Sequence, residues 1–172
     1  MSAEVAGALV FTDVAGFTAF TAERGDAAAL ALVERFEAEA IAVMPAGSRV
    51  VKQLGDGLFL WFPEVVPALN SMAALAMRCR QLSEDGDPLW VRTGVHHGVA
   101  LQRGNDLIGH DVNIASRVTS LAGVNEVLVT AAARAAASGV QLDLTPLGPV
   151  FLRGIDEPVR LYRLEPDCLS VG

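Results

Sequence analysis

Two aspartates each follow a short apolar run. Asp13 comes after Ala8-Leu-Val-Phe11, in Phe-Thr-Asp-Val-Ala-Gly-Phe, and Asp56 after Ser48-Arg-Val-Val-Lys52, in Lys-Gln-Leu-Gly-Asp-Gly. Both runs have the length and β-branched content of a buried strand. A carboxylate at the end of a core strand is costly unless something positive meets it. Two of them on neighbouring strands repel unless a divalent cation lies between. The chain must therefore fold so that these strand ends stay open to cations. Paired aspartates of this kind suit Mg²⁺, whose octahedron substrate phosphates complete, so phosphoryl transfer on a nucleotide is the first reading. The plainer reading is that each is a turn residue, since Asp is favoured after strands and before glycine.

The neighbourhoods weigh against the plainer reading. Asp13 precedes Val14-Ala15-Gly16-Phe17-Thr18, a small-residue turn opening a helix. Backbone N–H groups at Gly16 and Phe17 can cradle phosphate there, helped by the helix dipole. Asn113 and Arg117 lie four residues apart on one helix face; a solvated face is the commoner fate of such a pair, but their setting among Val112, Ile114 and Val118 suggests that both grip one ligand. Arg is suited to charge developing on phosphate. Lys52 and Asp106 together can read the edge of adenine, the carboxylate accepting from the exocyclic amine and the ammonium donating to a ring nitrogen. His96 and His97 are adjacent on a strand and point to opposite faces, so they do not chelate one ion. No Gly-x-x-x-x-Gly-Lys-Ser/Thr loop, Gly-x-Gly-x-x-Gly turn or Gly-x-Ser-x-Gly elbow occurs.

Composition bounds the rest. With 172 residues, 52% of them hydrophobic, the chain fits one sizeable core. A single domain is expected over 1–172, with a core of about 7–164 and a flexible tail over 165–172. The net charge of −7 excludes a general nucleic-acid binder, which needs a basic face. No apolar run reaches the length of a membrane span, and the N-terminus lacks an export pattern, so a cytoplasmic protein is expected. Cys79 and Cys168 fit no CxxC pattern and read as free thiols, Cys168 in a frayed tail.

The patterning predicts a strand over 6–11 and a helix from Asp26 burying Leu30, Val33, Phe36, Ala40 and Met44. Strands over 48–52 and 58–62 follow, joined by a hairpin at Asp56-Gly57 where glycine accepts φ > 0. A second helix over 64–82 buries Val65, Ala68, Leu69, Met72, Leu75, Ala76 and Cys79. A strand over 89–101, a short connection over 102–106, a helix over 110–122 and a strand over 126–130 come next. An Ala-rich helix over 130–138 and at least two strands within 142–161 complete the chain. The order is that of an α+β fold with a ferredoxin-like βαββαβ core and a C-terminal αββ extension, its helices on one face of a largely antiparallel sheet.

Taken together, five motifs in order resemble the catalytic domain of the class III nucleotidyl cyclases, the adenylate/guanylate cyclase family, in its compact bacterial form. They are Phe-Thr-Asp-Val-Ala-Gly-Phe, Val-Val-Lys-Gln-Leu-Gly-Asp-Gly, Val-Arg-Thr-Gly-Val-His-His-Gly, Asp-Leu-Ile-Gly-His-Asp-Val-Asn-Ile-Ala-Ser-Arg and Leu-Arg-Gly-Ile, and the likeness runs from about Gly7 to Leu164. The resemblance implies two divalent ions, Mg²⁺ or Mn²⁺, held by Asp13 and Asp56 with the Val14 carbonyl. It implies base selection by Lys52 and Asp106, ribose positioning by Asn113 and an α-phosphate contact by Arg117. Arg92 and Arg153 match basic residues that meet the other phosphates. Guanylate cyclases of the family carry Glu and Cys at the base-selecting positions, so the pair here implies ATP as substrate. A head-to-tail homodimer with shared active sites is implied as well. The rivals are a diguanylate cyclase, whose Gly-Gly-Asp/Glu-Glu-Phe hairpin is missing, and a degenerate cyclase fold used as a nucleotide-binding or dimerisation module.

Overall fold

The computed structural model describes residues 2–86 and 88–165; Cys168 and the tail expected beyond Glu165 lie outside the described residues. The first strand, β1 (Glu4–Val14), is followed by two helices, α1 (Phe17–Arg24) and α2 (Asp26–Val43). The hairpin β2 (Arg49–Gln53) and β3 (Gly57–Phe62) leads into α3 (Val65–Glu84) and the long strand β4 (Val91–Arg103). Next come β5 (Asp106–Ile108), α4 (His110–Leu121), β6 (Glu126–Thr130), α5 (Ala131–Ala136), β7 (Leu144–Val150) and β8 (Val159–Leu164). All the strands join one sheet in the order β2-β3-β1-β4-β6-β8-β7, with β5 paired to the end of β4. β1 lies between β3 and β4, antiparallel to both, which completes the expected βαββαβ core. α4 crosses over to β6, the strand that runs parallel to β4. The αββ extension then closes the sheet through β8 and β7.

Strand alternation divides the core. Ala8 and Val10 of β1 meet Leu32 and Phe36 of α2 and Leu69 and Met72 of α3 on one face. Leu9 points the other way, to Phe59, Val51, Leu107 and Ala115 of α4. The helices therefore occupy both faces rather than one: α2 and α3 cover the first, and α4, the crossover between the parallel strands β4 and β6, covers the second. Full burial of a side chain such as Phe36 or Phe62 contributes about 1.5–3 kcal/mol.

The stripe expected on α3 is buried as read. That on α2 is rotated: Ala29, Leu32, Phe36, Glu39 and Ala40 are buried, Leu30 is 60% exposed, and Val33 and Met44 are only half-buried. Glu39 is buried between Arg35 and Arg78, an ion triad that ties α2 to α3. The 102–106 connection is the tip of a hairpin: β4 continues to Arg103 and β5 returns along it. This arm carries Asn105 to Arg49 on β2, where the guanidinium donates to the Asn105 carbonyl at 3.0 Å. Among the described residues no helix is long and apolar enough to cross a membrane.

Candidate active site

The two aspartates meet as their strands require. Asp13 sits opposite Gly57 in the β1–β3 register, and Asp56 occupies the turn just before Gly57. The Val14 N–H donates to the Asp56 carbonyl at 3.0 Å, locking the turn to the end of β1. The left-handed residue of this turn is Gly55, at φ 72°, and not Gly57 as the Asp-Gly signal suggests. Gly57 serves a different need: a Cβ there would lie 3.0 Å from the Cβ of Asp13. Its missing side chain lets the two carboxylate-bearing segments approach.

Arg92 of β4 lies opposite Asp13 and grips it with both arms, Nε to Oδ1 at 2.8 Å and a terminal nitrogen to Oδ2 at 2.9 Å. Burial pushes the Asp13 carboxyl above its ordinary range; Arg92 pulls it back and Asp56 pushes it up again. The Arg92 guanidinium is held more firmly protonated, first by its hydrogen bond to Asp13. This end of the sheet thus concentrates negative charge and accepts a cation, here a guanidinium.

Two clefts open onto it. One, of about 130 Å³, runs between Asp13, Asp56 and the α4 residues Ser116, Thr119 and Ser120. The other, of about 380 Å³, is lined by Val14 through Thr18, Asp56, Arg92 and Gly123. Gly16 is left-handed (φ 71°) and α1 begins directly after it, so Gly16 and Phe17 bring first-turn N–H groups to the cleft wall. Such groups have no acceptor within their own helix and suit an anion. Sequence reasoning did not pick out Ser116, Thr119 and Ser120. Their i, i+3, i+4 spacing was the available signal.

Lys52 and Asp106 come together from distant segments. β2 is bulged, with Val51 and Lys52 together opposite Phe59, and β5 lies across from it on the hairpin arm. Lys52 Nζ donates to Asp106 Oδ2 at 2.8 Å, while Asp106 Oδ1 accepts from the Leu107 N–H at 2.8 Å. Lys52 holds the Asp106 carboxyl below its usual range. The pair is largely exposed, and exposed pairs contribute only about 0–1 kcal/mol, so stability does not account for it. It presents a donor beside an acceptor.

Asn113 and Arg117 occupy the exposed side of α4, opposite Ile114, Ala115, Val118 and Thr119, which are buried. Arg153 is exposed in the turn between β7 and β8, next to left-handed Gly154. Lys52, Asp106, Asn113, Arg117 and Arg153 do not line either aspartate cleft.

Among the described residues no three His, Cys, Asp or Glu side chains cluster around a point that would hold a metal ion. The aspartate end offers two carboxylates, an all-oxygen side-chain set that suits a hard cation retaining water or phosphate in its remaining positions. The His96-His97 adjacency carries no signal of the partners that His96 finds. His96 is buried between Thr130, at 2.8 Å from Nδ1, and Asp111, at 2.9 Å from Nε2.

Known proteins share this architecture. Residues 3–166 match the model of the adenylate and guanylate cyclase catalytic domain. The chain is 34% identical over 128 residues to a pH-sensitive adenylate cyclase of Mycobacterium tuberculosis, covering 71% of this chain and 31% of that protein. It is 42% identical over 85 residues to a receptor-type adenylate cyclase of Trypanosoma brucei brucei, covering 44% of this chain and 7% of that one. The chain thus spans under a third of the length of these curated relatives. Among solved structures, the adenylyl cyclase CyaB of P. aeruginosa has the same fold, with a TM-score of 0.85 at 21% identity over 96% of both chains. An adenylate cyclase from Trypanosoma brucei, solved in its monomeric state, has a TM-score of 0.83 at 26% identity over 94% of this chain and 90% of that one. With the family model matched over nearly its whole length, this chain belongs to the adenylate and guanylate cyclase catalytic domains, the class III nucleotidyl cyclases.

Proposed function

We propose that this chain is an adenylate cyclase domain that converts ATP to 3′,5′-cyclic AMP and pyrophosphate, acting in the cytoplasm as a homodimer. The observation that carries the substrate is the Lys52–Asp106 pair, a donor and an acceptor held side by side at 2.8 Å. Adenine offers a ring-nitrogen acceptor beside an amine donor and complements the pair; guanine reverses the order, with an N–H donor in place of the ring acceptor and a carbonyl in place of the amine, so a pair set for adenine meets donor with donor and acceptor with acceptor. Both relatives reported above carry the name adenylate cyclase, which agrees with this choice.

Asp13 and Asp56, with the Val14 carbonyl, hold two divalent cations, Mg²⁺ or Mn²⁺, and the paired carboxylates at this strand end fit them. When bound, these ions supply Lewis acidity to the ribose 3′-hydroxyl and neutralise the triphosphate. Arg92 exchanges Asp13 for phosphate oxygens, and the Gly16 and Phe17 N–H groups and Arg153 meet the remaining phosphates. Asn113 orients the ribose. Arg117 stabilises the α-phosphoryl group as its charge shifts. The 3′-oxygen forms its bond to the α-phosphorus, the bond to the bridging oxygen breaks, and pyrophosphate leaves with those electrons. The 3′-hydroxyl proton passes to water or to the substrate itself. Lys52, Asp106, Asn113 and Arg117 line neither aspartate cleft of their own chain, which supports an active site assembled from Asp13 and Asp56 of one copy and Lys52, Asp106, Asn113 and Arg117 of another.

The test is direct: incubate the purified chain with Mn²⁺ and either ATP or GTP and separate the cyclic products. Cyclic AMP should dominate, and Lys52→Glu with Asp106→Cys should shift preference towards GTP by about tenfold or more, since the new Glu accepts from the guanine ring N–H. A double variant that still turns over ATP with unchanged preference would sink the base-reading role. A wild-type chain producing no cyclic nucleotide would favour the binding module.

A further inference from the structure

α4 carries Asn113 and Arg117, yet its start has no side-chain cap: Gly109 stands at the N-cap position. What secures this end is Asp111. Its Oδ2 accepts from the Val99 N–H of β4 at 2.9 Å, and its Oδ1 faces His96 Nε2 at 2.9 Å. A carboxylate only accepts, so Nε2 carries the ring hydrogen and Nδ1 accepts from the Thr130 hydroxyl. Thr130 itself accepts from the Ala133 N–H at 3.2 Å, linking the ring to α5. Burial lowers the basicity of His96, against the pull of Asp111, so the neutral ring is the form present at neutral pH.

Glycines make the approach possible at two points. A Cβ at Gly98 would overlap the Asp111 carboxylate, and one at Gly94 would overlap Thr119. The Thr119 hydroxyl in turn lies between two acceptors, the Ala115 carbonyl of its own helix at 3.0 Å and the Phe11 carbonyl of β1 at 3.2 Å. α4 is therefore seated at Asp111 and again at Thr119, and Asn113 and Arg117 lie between those anchors. At about 100° per residue, two steps from either anchor lead to the opposite side of the helix. Whatever fixes the anchors fixes the direction of both outward side chains.

We propose that His96 and Asp111 are positioning residues, clamping the start of α4 to β4 so that Asn113 and Arg117 stand in register for the reaction. The catalytic half of this statement rests on the cyclase reading; the clamp itself does not. His96→Ala and Asp111→Ala should raise amide hydrogen exchange across α4 by about tenfold while leaving α2 and α3 unchanged. With Mn²⁺ and ATP, kcat should fall by about tenfold and KM stay within about twofold, because alignment matters most in the transition state. Asp111→Asn preserves the geometry without the charge. Its amide oxygen accepts from Val99, and its N–H donates to Nε2 once the ring proton moves to Nδ1. This variant should stay within about threefold of wild type in exchange and in kcat.

Unchanged exchange in α4, or a rise shared equally by α2 and α3, would overturn the clamp. A KM effect with kcat intact would overturn the positioning role. Should the wild-type chain make no cyclic nucleotide, the catalytic half falls with the cyclase reading, and the exchange pattern still decides the clamp.

Discussion

The aspartate end of the sheet and the outer surface formed by α4 and the β4–β5 arm are built on opposite principles. At the aspartate end one carboxylate is answered within the chain: Arg92 forks onto Asp13, while the Val14 N–H pins the backbone of the Asp56 turn and Gly57 makes room. On the other surface Lys52 and Asp106 pair at an exposed position, and Asn113 and Arg117 stand exposed. A protein does not maintain such exposed polar groups for stability. In the proposed reading the first region takes cations. The second makes sense when another surface is brought against it, and the proposed dimer supplies one.

The strongest way to break this contrast is to remove a carboxylate. Asp13→Ala or Asp56→Ala should lower cyclic AMP formation by about a thousandfold or more, with the far-ultraviolet circular dichroism unchanged. Near-wild-type turnover of either variant with Mg²⁺ or Mn²⁺ would remove the aspartate end from the chemistry. Arg117→Ala should lower kcat by about 10²–10³-fold with little change in KM, because its contact forms chiefly in the transition state. A pure KM effect would move Arg117 to ground-state phosphate binding.

Mixing those two lesions sharpens the comparison. If each active site draws its aspartates from one copy and its arginine from another, an Asp13→Ala chain paired with an Arg117→Ala chain has one site free of both lesions. With random exchange about half the dimers are mixed, so activity should recover to about a quarter of wild type. No recovery, in a sample where native mass spectrometry detects mixed dimers, would mean that each site lies within one chain.

The contrast also explains what could be read from the chain alone. Each of these motifs is local, so Asp13, Asp56, Asn113 and Arg117 stand out as candidates from their immediate neighbours alone. The α3 stripe was legible because Val65, Ala68, Leu69, Met72, Leu75, Ala76 and Cys79 recur at i, i+3, i+4 spacing along one side of that helix. In α2 both Leu30 and Leu32 fit a helical period, and only contact with the β1 face decides that Leu32 turns inward. The Arg92–Asp13 fork spans 79 residues of sequence and depends on the β1–β4 register, which no local pattern encodes. Likewise His96 finds Asp111 only after the β4–β5 arm has turned back, so adjacency to His97 was the misleading cue.

The smallest expected effect concerns stability at the aspartate end. The Asp13 carboxyl sits above its ordinary value of 3.8 because burial, with Asp56 adding, outweighs Arg92. A raised folded-state pKa means that the fold favours the protonated acid. That contribution is fully present below the ordinary value and lost as pH rises through the raised one. At neutral pH the ionised Asp13 is therefore a net liability to the cation-free fold. Asp13→Asn removes the charge at nearly constant shape, so the metal-free variant should melt higher than wild type at pH 7. The scale is about 2–4 °C for each kcal/mol in a domain of this size, and the advantage should shrink as pH falls towards 4. Added Mn²⁺ should raise the melting temperature of wild type and barely move the variant, reversing their order. Thermal melts with chelator and with Mn²⁺ at both pH values decide the matter. If Asp13→Asn melts below wild type without metal at pH 7, the Arg92 fork is a structural ion pair that outweighs the burial of its carboxylate. The aspartate end would then owe its form to stability, and its contrast with the exposed surface would lose its functional meaning.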